Sequence, residues 1–166
     1  MARGCRSAKP VRFDQNFADA AYDPHFANTF WRILVHVDTV LKEFRARFIG
    51  KCTVNFFWGS FDLCVTRFSG LPAPERAGAD SITREAYSHE VISAGFWPGS
   101  GAIAGPAFYA YAAYYSRELS EHILMYDDVR SAKAPGSVLL DFFQSTYDAG
   151  ATLGNWDRKS LERGSP

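Results

Sequence analysis

The chain has 166 residues, a length that favours one domain with one hydrophobic core. Its 18 Lys and Arg residues equal its 18 Asp and Glu residues, which argues against the basic surface of a nucleic-acid-binding protein. No run of about 18 apolar residues is present and the basic N-terminus lacks the apolar core of a signal peptide, so we expect neither a membrane span nor secretion.

Cysteine usage points to a reducing compartment. Cys5, Cys52 and Cys64 are odd in number and lack metal-ligand spacing, so we expect a cytoplasmic protein. Cys64 falls inside a predicted strand, where a buried apolar thiol is a simpler interpretation than a reactive one.

The first predicted element is a long helix that follows an irregular N-terminal arm over residues 1–22. Asp23 is typical of a helix N-cap and Pro24 of the first helical position. Gly50 predicts the end of the helix. Its apolar stripe, spaced by three and four residues, consists of Phe30, Leu34, Val37, Leu41, Phe44 and Phe48.

Residues 56–70 form the most unusual stretch, and their alternation predicts one β-strand. The odd-numbered residues are nearly all apolar. The even-numbered residues, the polar parity, combine aromatic rings with Ser60, Asp62 and Thr66. A carboxylate between rings must be solvated, paired or directed into a cavity. The polar parity is therefore the first candidate for a functional surface.

Two further strands are predicted at residues 87–97 and 107–115, and a short strand or helical piece follows near residues 119–125. A second amphipathic helix begins near Pro135 and ends at Gly154, before a loosely attached tail at residues 155–166. We therefore predict an α+β fold, with an antiparallel sheet of three to four strands flanked by two long amphipathic helices, in one domain over residues 23–154.

The sheet face that the helices leave uncovered is the expected functional surface. His89 is a candidate general base oriented by Asp62 from the neighbouring strand. Two structural alternatives stay open: His89 donates to a backbone carbonyl, and Asp62 pairs with Arg67 or Arg84. The candidate ligand-binding residues on the same face are Trp58, Ser60, Trp97, Tyr109 and Tyr111.

Signatures of metal and cofactor binding are weak. The four His residues are scattered without the spacing of a metal site, so no metal is predicted. The sequence around Ser60 lacks the pattern of a nucleophilic serine, and the Gly-rich stretch PGSGAIAGP does not lead into a helix. We predict no cofactor.

Four runs carry a family resemblance: EFRARFIGKC, FFWGSFDLCVTRFSG, REAYSHEVISAGFWPG and AFYAY. With them the chain resembles the C-terminal half of an uncharacterised bacterial family of unknown function, family 5996, over roughly residues 13–161. The resemblance implies two departures in this chain. Asn55 stands where relatives usually carry His, and a Pro-rich loop is missing between Ala110 and Tyr115.

Two functions are compatible with these features. The aromatic face lines a pocket for a small, partly apolar organic ligand, with possible acid–base catalysis by His89 and Asp62. Alternatively, it is a non-catalytic interaction surface that is covered either by a second copy in a homodimer, as the half-length resemblance suggests, or by another protein. The pocket is preferred, because interface centres are depleted of acidic residues.

Overall fold

The computed structural model describes residues 22–75, 77–113 and 121–163. The chain divides into two compact units, residues 1–33 and residues 34–166. Asp23 precedes helix α1 (Pro24–Ala46), and its carboxylate accepts hydrogen bonds from the backbone N–H of His25 at 2.7 Å and of Phe26 at 3.3 Å. The predicted helix start is confirmed, but the helix ends at Ala46, before Gly50.

The second unit contains a five-stranded antiparallel sheet in which each strand pairs with the next along the chain. This arrangement confirms an α+β fold with an antiparallel meander, although the predicted count of three to four strands was too low. The strands are β1 (Cys52–Phe57), β2 (Asp62–Pro72), β3 (His89–Trp97), β4 (Ala107–Ala113) and β5 (His122–Met125).

The single strand predicted over residues 56–70 is wrong, because a turn at residues 58–61 divides it into β1 and β2. The backbone N–H of Phe61 donates to the carbonyl of Phe57 at 2.7 Å, and Phe61 adopts a left-handed conformation with φ of 57°. A bulky side chain rarely occupies this region, so periodicity alone gave no sign of the turn.

Four more helices complete the described chain. The predicted second long helix is confirmed as α4 and is capped by Gly154, whose backbone N–H donates to Gly150 at 2.9 Å. The helices are α2 (Ser81–Ala86), α3 (Tyr126–Arg130), α4 (Pro135–Leu153) and α5 (Arg158–Leu161).

Helix α4 packs on β3 and β4, and it forms the core together with the odd-numbered residues of β2. Phe143 is fully buried, and its ring centroid lies 6.2 Å from that of Phe108 on β4. Gly150 brings the helix close to the sheet, since an added Cβ there would lie 3.1 Å from the Ile92 side chain. The buried residues of α4 are Leu139, Leu140, Phe143, Tyr147, Gly150 and Ala151, whereas Leu153 is 77% exposed.

Arg67 is the largest fully buried side chain, and it lies on the helix-facing side of β2. Its guanidinium carbon is 3.5 Å from the ring centroid of Phe44 and 4.1 Å from that of Tyr147, and the guanidinium donates to the Phe44 carbonyl. Burial lowers the pKa of Arg67 to about 10, so it stays charged at neutral pH. Because Asp62 points to the opposite face, the predicted alternative of an ion pair between Asp62 and Arg67 is wrong.

The described part of the C-terminal tail is held firmly, unlike the loose attachment that its polarity suggested. Trp156 is 5% exposed. The carbonyl of Leu161 accepts from the backbone N–H of Ile49 at 2.8 Å, and the backbone N–H of Arg163 donates to the Arg47 carbonyl at 3.0 Å. The polarity of the side chains does not reveal backbone hydrogen bonds, so the sequence contained no indication of this attachment.

Gly95 occupies a position in the sheet that has no space for a larger residue. An added Cβ would lie 2.4 Å from the Leu63 carbonyl oxygen and 2.6 Å from the Cys64 Cβ. We expect Gly95→Ala to lower the free energy of unfolding by about 1–3 kcal/mol in urea denaturation. Gly59→Ala, which meets no atom within 4 Å, is the control and should change it by less than about 0.5 kcal/mol. Equal values for the two variants would contradict the packing described here.

Candidate functional site

The sheet face opposite α4 carries two rows of side chains that run across β2, β3 and β4. Cys64 pairs with Gly95, which pairs with Tyr109. One step along, Thr66 pairs with Ser93, which pairs with Tyr111. Cross-strand partners share a face, so this face combines small polar groups on β2 and β3 with tyrosine rings on β4.

A cavity of about 600 Å³ opens on this face. Five aromatic rings and a set of hydroxyl, thiol and carboxylate groups line it. The described lining residues are Phe57, Gly59, Ser60, Phe61, Asp62, Cys64, Thr66, Ser93, Trp97, Pro98, Gly99, Ser100, Tyr109, Tyr111 and Glu121.

The concave shape follows from the small residues of the central strand. Ser93 and Gly95 alternate on β3 and present almost no side chain to the cavity face. On β4 they are flanked by Tyr109 and Tyr111, whose rings are stacked with centroids 6.1 Å apart and an interplanar angle of 16°. Large rings beside a floor of small residues produce a groove rather than a filled surface.

Asp62 is the central polar group of the cavity. It is only 9% exposed, and its carboxylate accepts a 2.7 Å hydrogen bond from the Tyr109 hydroxyl and a second bond from the Ser60 hydroxyl. Burial, with the nearby Cys64 and Asp62, raises the pKa of Tyr109 far above its ordinary value. The phenol therefore stays protonated and donates to Asp62 throughout the physiological pH range.

The remaining polar groups of the cavity floor are neutral. Thr66 Oγ1 and Ser93 Oγ are 3.1 Å apart and share a hydrogen bond. Burial raises the pKa of the Cys64 thiol, so it is protonated at neutral pH and is a poor nucleophile. Burial also raises the pKa of Tyr111. These groups can donate or accept hydrogen bonds without carrying a charge.

The structure brings together five of the seven predicted site residues, but it separates the proposed catalytic pair. Ser60, Asp62, Trp97, Tyr109 and Tyr111 all line the cavity.

His89 and Trp58 lie elsewhere. His89 pairs with Pro72 at the far end of the β2–β3 ladder, and Ser88 Oγ lies 3.1 Å from its Nδ1. Asp62 begins β2 at the other end, about 25 Å away along the strands. Trp58 is 76% exposed in the β1–β2 turn and packs on Phe56, with ring centroids 5.2 Å apart. The dyad of His89 and Asp62 is therefore not formed.

Sequence reasoning missed several lining residues, chiefly Thr66, Ser93, Phe57 and Glu121. Thr66 shares the parity of Asp62 and was within reach of the alternation argument. Ser93 was not, because both parities of β3 mix polar and apolar residues. The small residues Ser93 and Gly95, in a strand that also contains aromatic residues, were the available sign of a surface with space for a ligand.

The described residues contain no group of three or more His, Cys, Asp or Glu residues placed to hold a metal ion. None of their helices is long and apolar enough to cross a membrane.

Comparison with known proteins gives one match. The model of a family of unknown function, DUF5996, matches residues 2–113 and 111–163. The two segments meet at residues 111–113, inside the stretch where the Pro-rich loop of the family is expected to be missing. No curated protein and no solved structure matches the chain.

The hydrogen bond between Tyr109 and Asp62 should contribute measurably to stability. Tyr109→Phe leaves a buried carboxylate with one donor fewer, so we expect the free energy of unfolding to fall by about 1–3 kcal/mol at pH 7. Tyr22→Phe removes the same hydroxyl from a side chain that is 78% exposed and is the control. A loss of stability no larger than that of the control would contradict the contribution of this bond.

The stability difference between wild type and Tyr109→Phe should depend on pH. The pKa of Tyr109 in the folded protein lies above the unfolded value of about 10. Its contribution to the free energy of unfolding is therefore complete below about pH 10 and is lost as pH rises further. The stability difference between wild type and Tyr109→Phe should therefore shrink above about pH 10 in urea titrations. A difference that grows with pH would contradict the assigned burial.

Proposed function

The chain belongs to the DUF5996 family, and we propose that it binds a small, partly apolar organic molecule in the cavity of its sheet. One observation carries this proposal: a nine-tenths-buried carboxylate, Asp62, faces an open cavity between aromatic rings. A carboxylate of purely structural use is more often paired with a cation or exposed to water.

The size and chemistry of the cavity support the proposal. Its volume of about 600 Å³ lies within the range of small-molecule sites. Such sites combine apolar walls with a few placed polar groups that fix the orientation of the ligand. Here Trp97, Tyr109 and Tyr111 supply the walls, and Asp62 and Ser60 supply the polar end.

Backbone strain at the rim is a further support. Phe61 holds a left-handed backbone conformation at φ of 57°, which costs a bulky residue about 1–3 kcal/mol. Its ring lines the cavity and packs edge-on against Phe56 at 6.1 Å. Strain of this kind is retained at functional sites when the surrounding structure fixes it.

Of the two predicted catalytic residues, only Asp62 faces the cavity. Its carboxylate is held by Tyr109 and Ser60 and can accept a proton from a bound molecule. We therefore assign any acid–base step in this proposal to Asp62, with Tyr109 as its positioning residue. His89 has no part in it.

Native mass spectrometry of protein purified gently from its own host tests the proposal. We expect the wild type to retain a small organic molecule and Asp62→Asn to lose most of it, by about tenfold or more in occupancy, since a charge-assisted hydrogen bond is removed. Trp58→Ala changes an aromatic residue outside the cavity and should retain the wild-type occupancy. Equal occupancy in Asp62→Asn and wild type would contradict the role of Asp62.

A second candidate function is self-association through the β1–β2 turn. Three rings at this turn are exposed: Phe57 by 49%, Trp58 by 76% and Phe61 by 48%. The turn adjoins β1, which is one of the two edge strands of the sheet. Two copies related by a twofold axis can cover each other's turn and pair their edge strands.

Light scattering at micromolar concentration separates the two candidates. Association through the turn predicts a dimer in the wild type and a monomer in Trp58→Ala, because the most exposed ring is removed. Ile82→Ala, a truncation of a residue that is 79% exposed on α2, is the matched control and should remain dimeric. A monomeric wild type would eliminate this candidate without affecting the cavity.

A further inference from the structure

We infer that the molecule bound in the cavity is an organic cation, such as a protonated amine attached to an aromatic or other apolar group. This inference rests on the proposed function and specifies the charge of the ligand. It is supported by the partners of Asp62, the charges of the cavity and the arrangement of its rings.

Asp62 is buried without a cation among the residues that the structure describes. Its two hydrogen-bond donors, Tyr109 and Ser60, are neutral hydroxyl groups. None of the described salt bridges includes Asp62, and the nearest buried guanidinium along β2, that of Arg67, lies on the opposite face. Buried carboxylates are normally paired with positive charge, so a ligand that supplies this charge would complete the site.

The charged groups among the described lining residues of the cavity have one sign. Asp62 and Glu121 are the ionisable carboxylates, and the described lining residues include no Lys, Arg or His. A concave surface with carboxylates and weakly hydrated walls concentrates cations and repels anions. Among these described residues an anionic ligand would meet two carboxylates and no counter-charge, so a carboxylate or phosphate ligand is disfavoured.

The carboxylate also has room for another donor. An ionised carboxylate offers about four lone-pair positions, and Asp62 uses two of them for Tyr109 and Ser60. A protonated amine brings up to three N–H donors, so it can bind Asp62 without displacing either hydroxyl. The hydrogen bonds already present hold the carboxylate in place for this contact.

Aromatic rings complete a site of this class. The Tyr109 ring, whose hydroxyl contacts Asp62, is stacked with the ring of Tyr111, and Trp97 also lines the cavity. The negative face of an aromatic ring attracts a cation, and ammonium groups are commonly held by a carboxylate together with rings. The apolar part of the ligand can then pack against Phe57 and Phe61.

A panel of three probes tests the inference on the full-length protein. The probes are 2-phenylethylamine, 2-phenylethanol and phenylacetate, which share a ring and have similar sizes but are cationic, neutral and anionic at pH 7. Dissociation constants are measured by ligand-observed NMR at low salt, with probe concentrations up to about 10 mM. We expect the amine to bind about 10- to 100-fold more tightly than the alcohol, because it adds a charge-assisted hydrogen bond.

Variants link the preference to the cavity. Asp62→Asn should remove the preference for the amine, whereas Asp141→Asn removes the same charge from an exposed position on α4 and should keep it. If Asp62→Asn does not fold, Glu121→Gln provides the test and should weaken amine binding by about two- to fivefold.

The results separate the charge of the ligand from the existence of the site. Tighter binding of the alcohol or of phenylacetate than of the amine would overturn the inference and leave the proposed binding function intact. Equal amine binding in wild type and Asp62→Asn would also overturn it. Absence of binding for all three probes would overturn both the inference and the proposed cavity function.

Discussion

The hydrogen bond from Tyr109 to Asp62 is the interaction on which the candidate site depends. It joins β4 to the start of β2 across the intervening strand β3. Gly95 lies between Cys64 and Tyr109 in the ladder, and the space beside its Cα is occupied by the Leu63 carbonyl and by Cys64. Glycine at this position therefore lets β2 and β3 approach closely beneath the contact.

Strand β2 separates two opposite charges by its alternation. Arg67 points toward the helices and is surrounded by the rings of Phe44, Phe48 and Tyr147, while Asp62 points into the cavity. The guanidinium is stabilised by ring faces and by the carbonyl at the end of α1. Neither charge neutralises the other, so the core holds its own cation, and the charged groups among the described lining residues of the cavity are carboxylates.

Much of the architecture was predictable because hydrophobic periodicity and capping residues act locally. Asp23 with Pro24 fixed the start of α1, and Gly154 fixed the end of α4. The turn at residues 58–61 was not predictable, since Phe61 occupies a conformation that its residue type disfavours. For the site, the alternation along β2 puts Asp62 on the same face as Thr66, whereas Ser60 reaches the cavity from the turn. The separation of His89 from Asp62 depends on register, which a sequence does not display.

The central claim is that a bound molecule supplies the positive charge that pairs with Asp62. A crystal structure of the protein grown with 2-phenylethylamine tests this most directly. The account predicts the amine nitrogen within about 3 Å of the Asp62 carboxylate, with the Tyr109 hydrogen bond preserved. A structure in which a Lys or Arg side chain of the protein pairs with Asp62, and the amine is absent from the cavity, would contradict it.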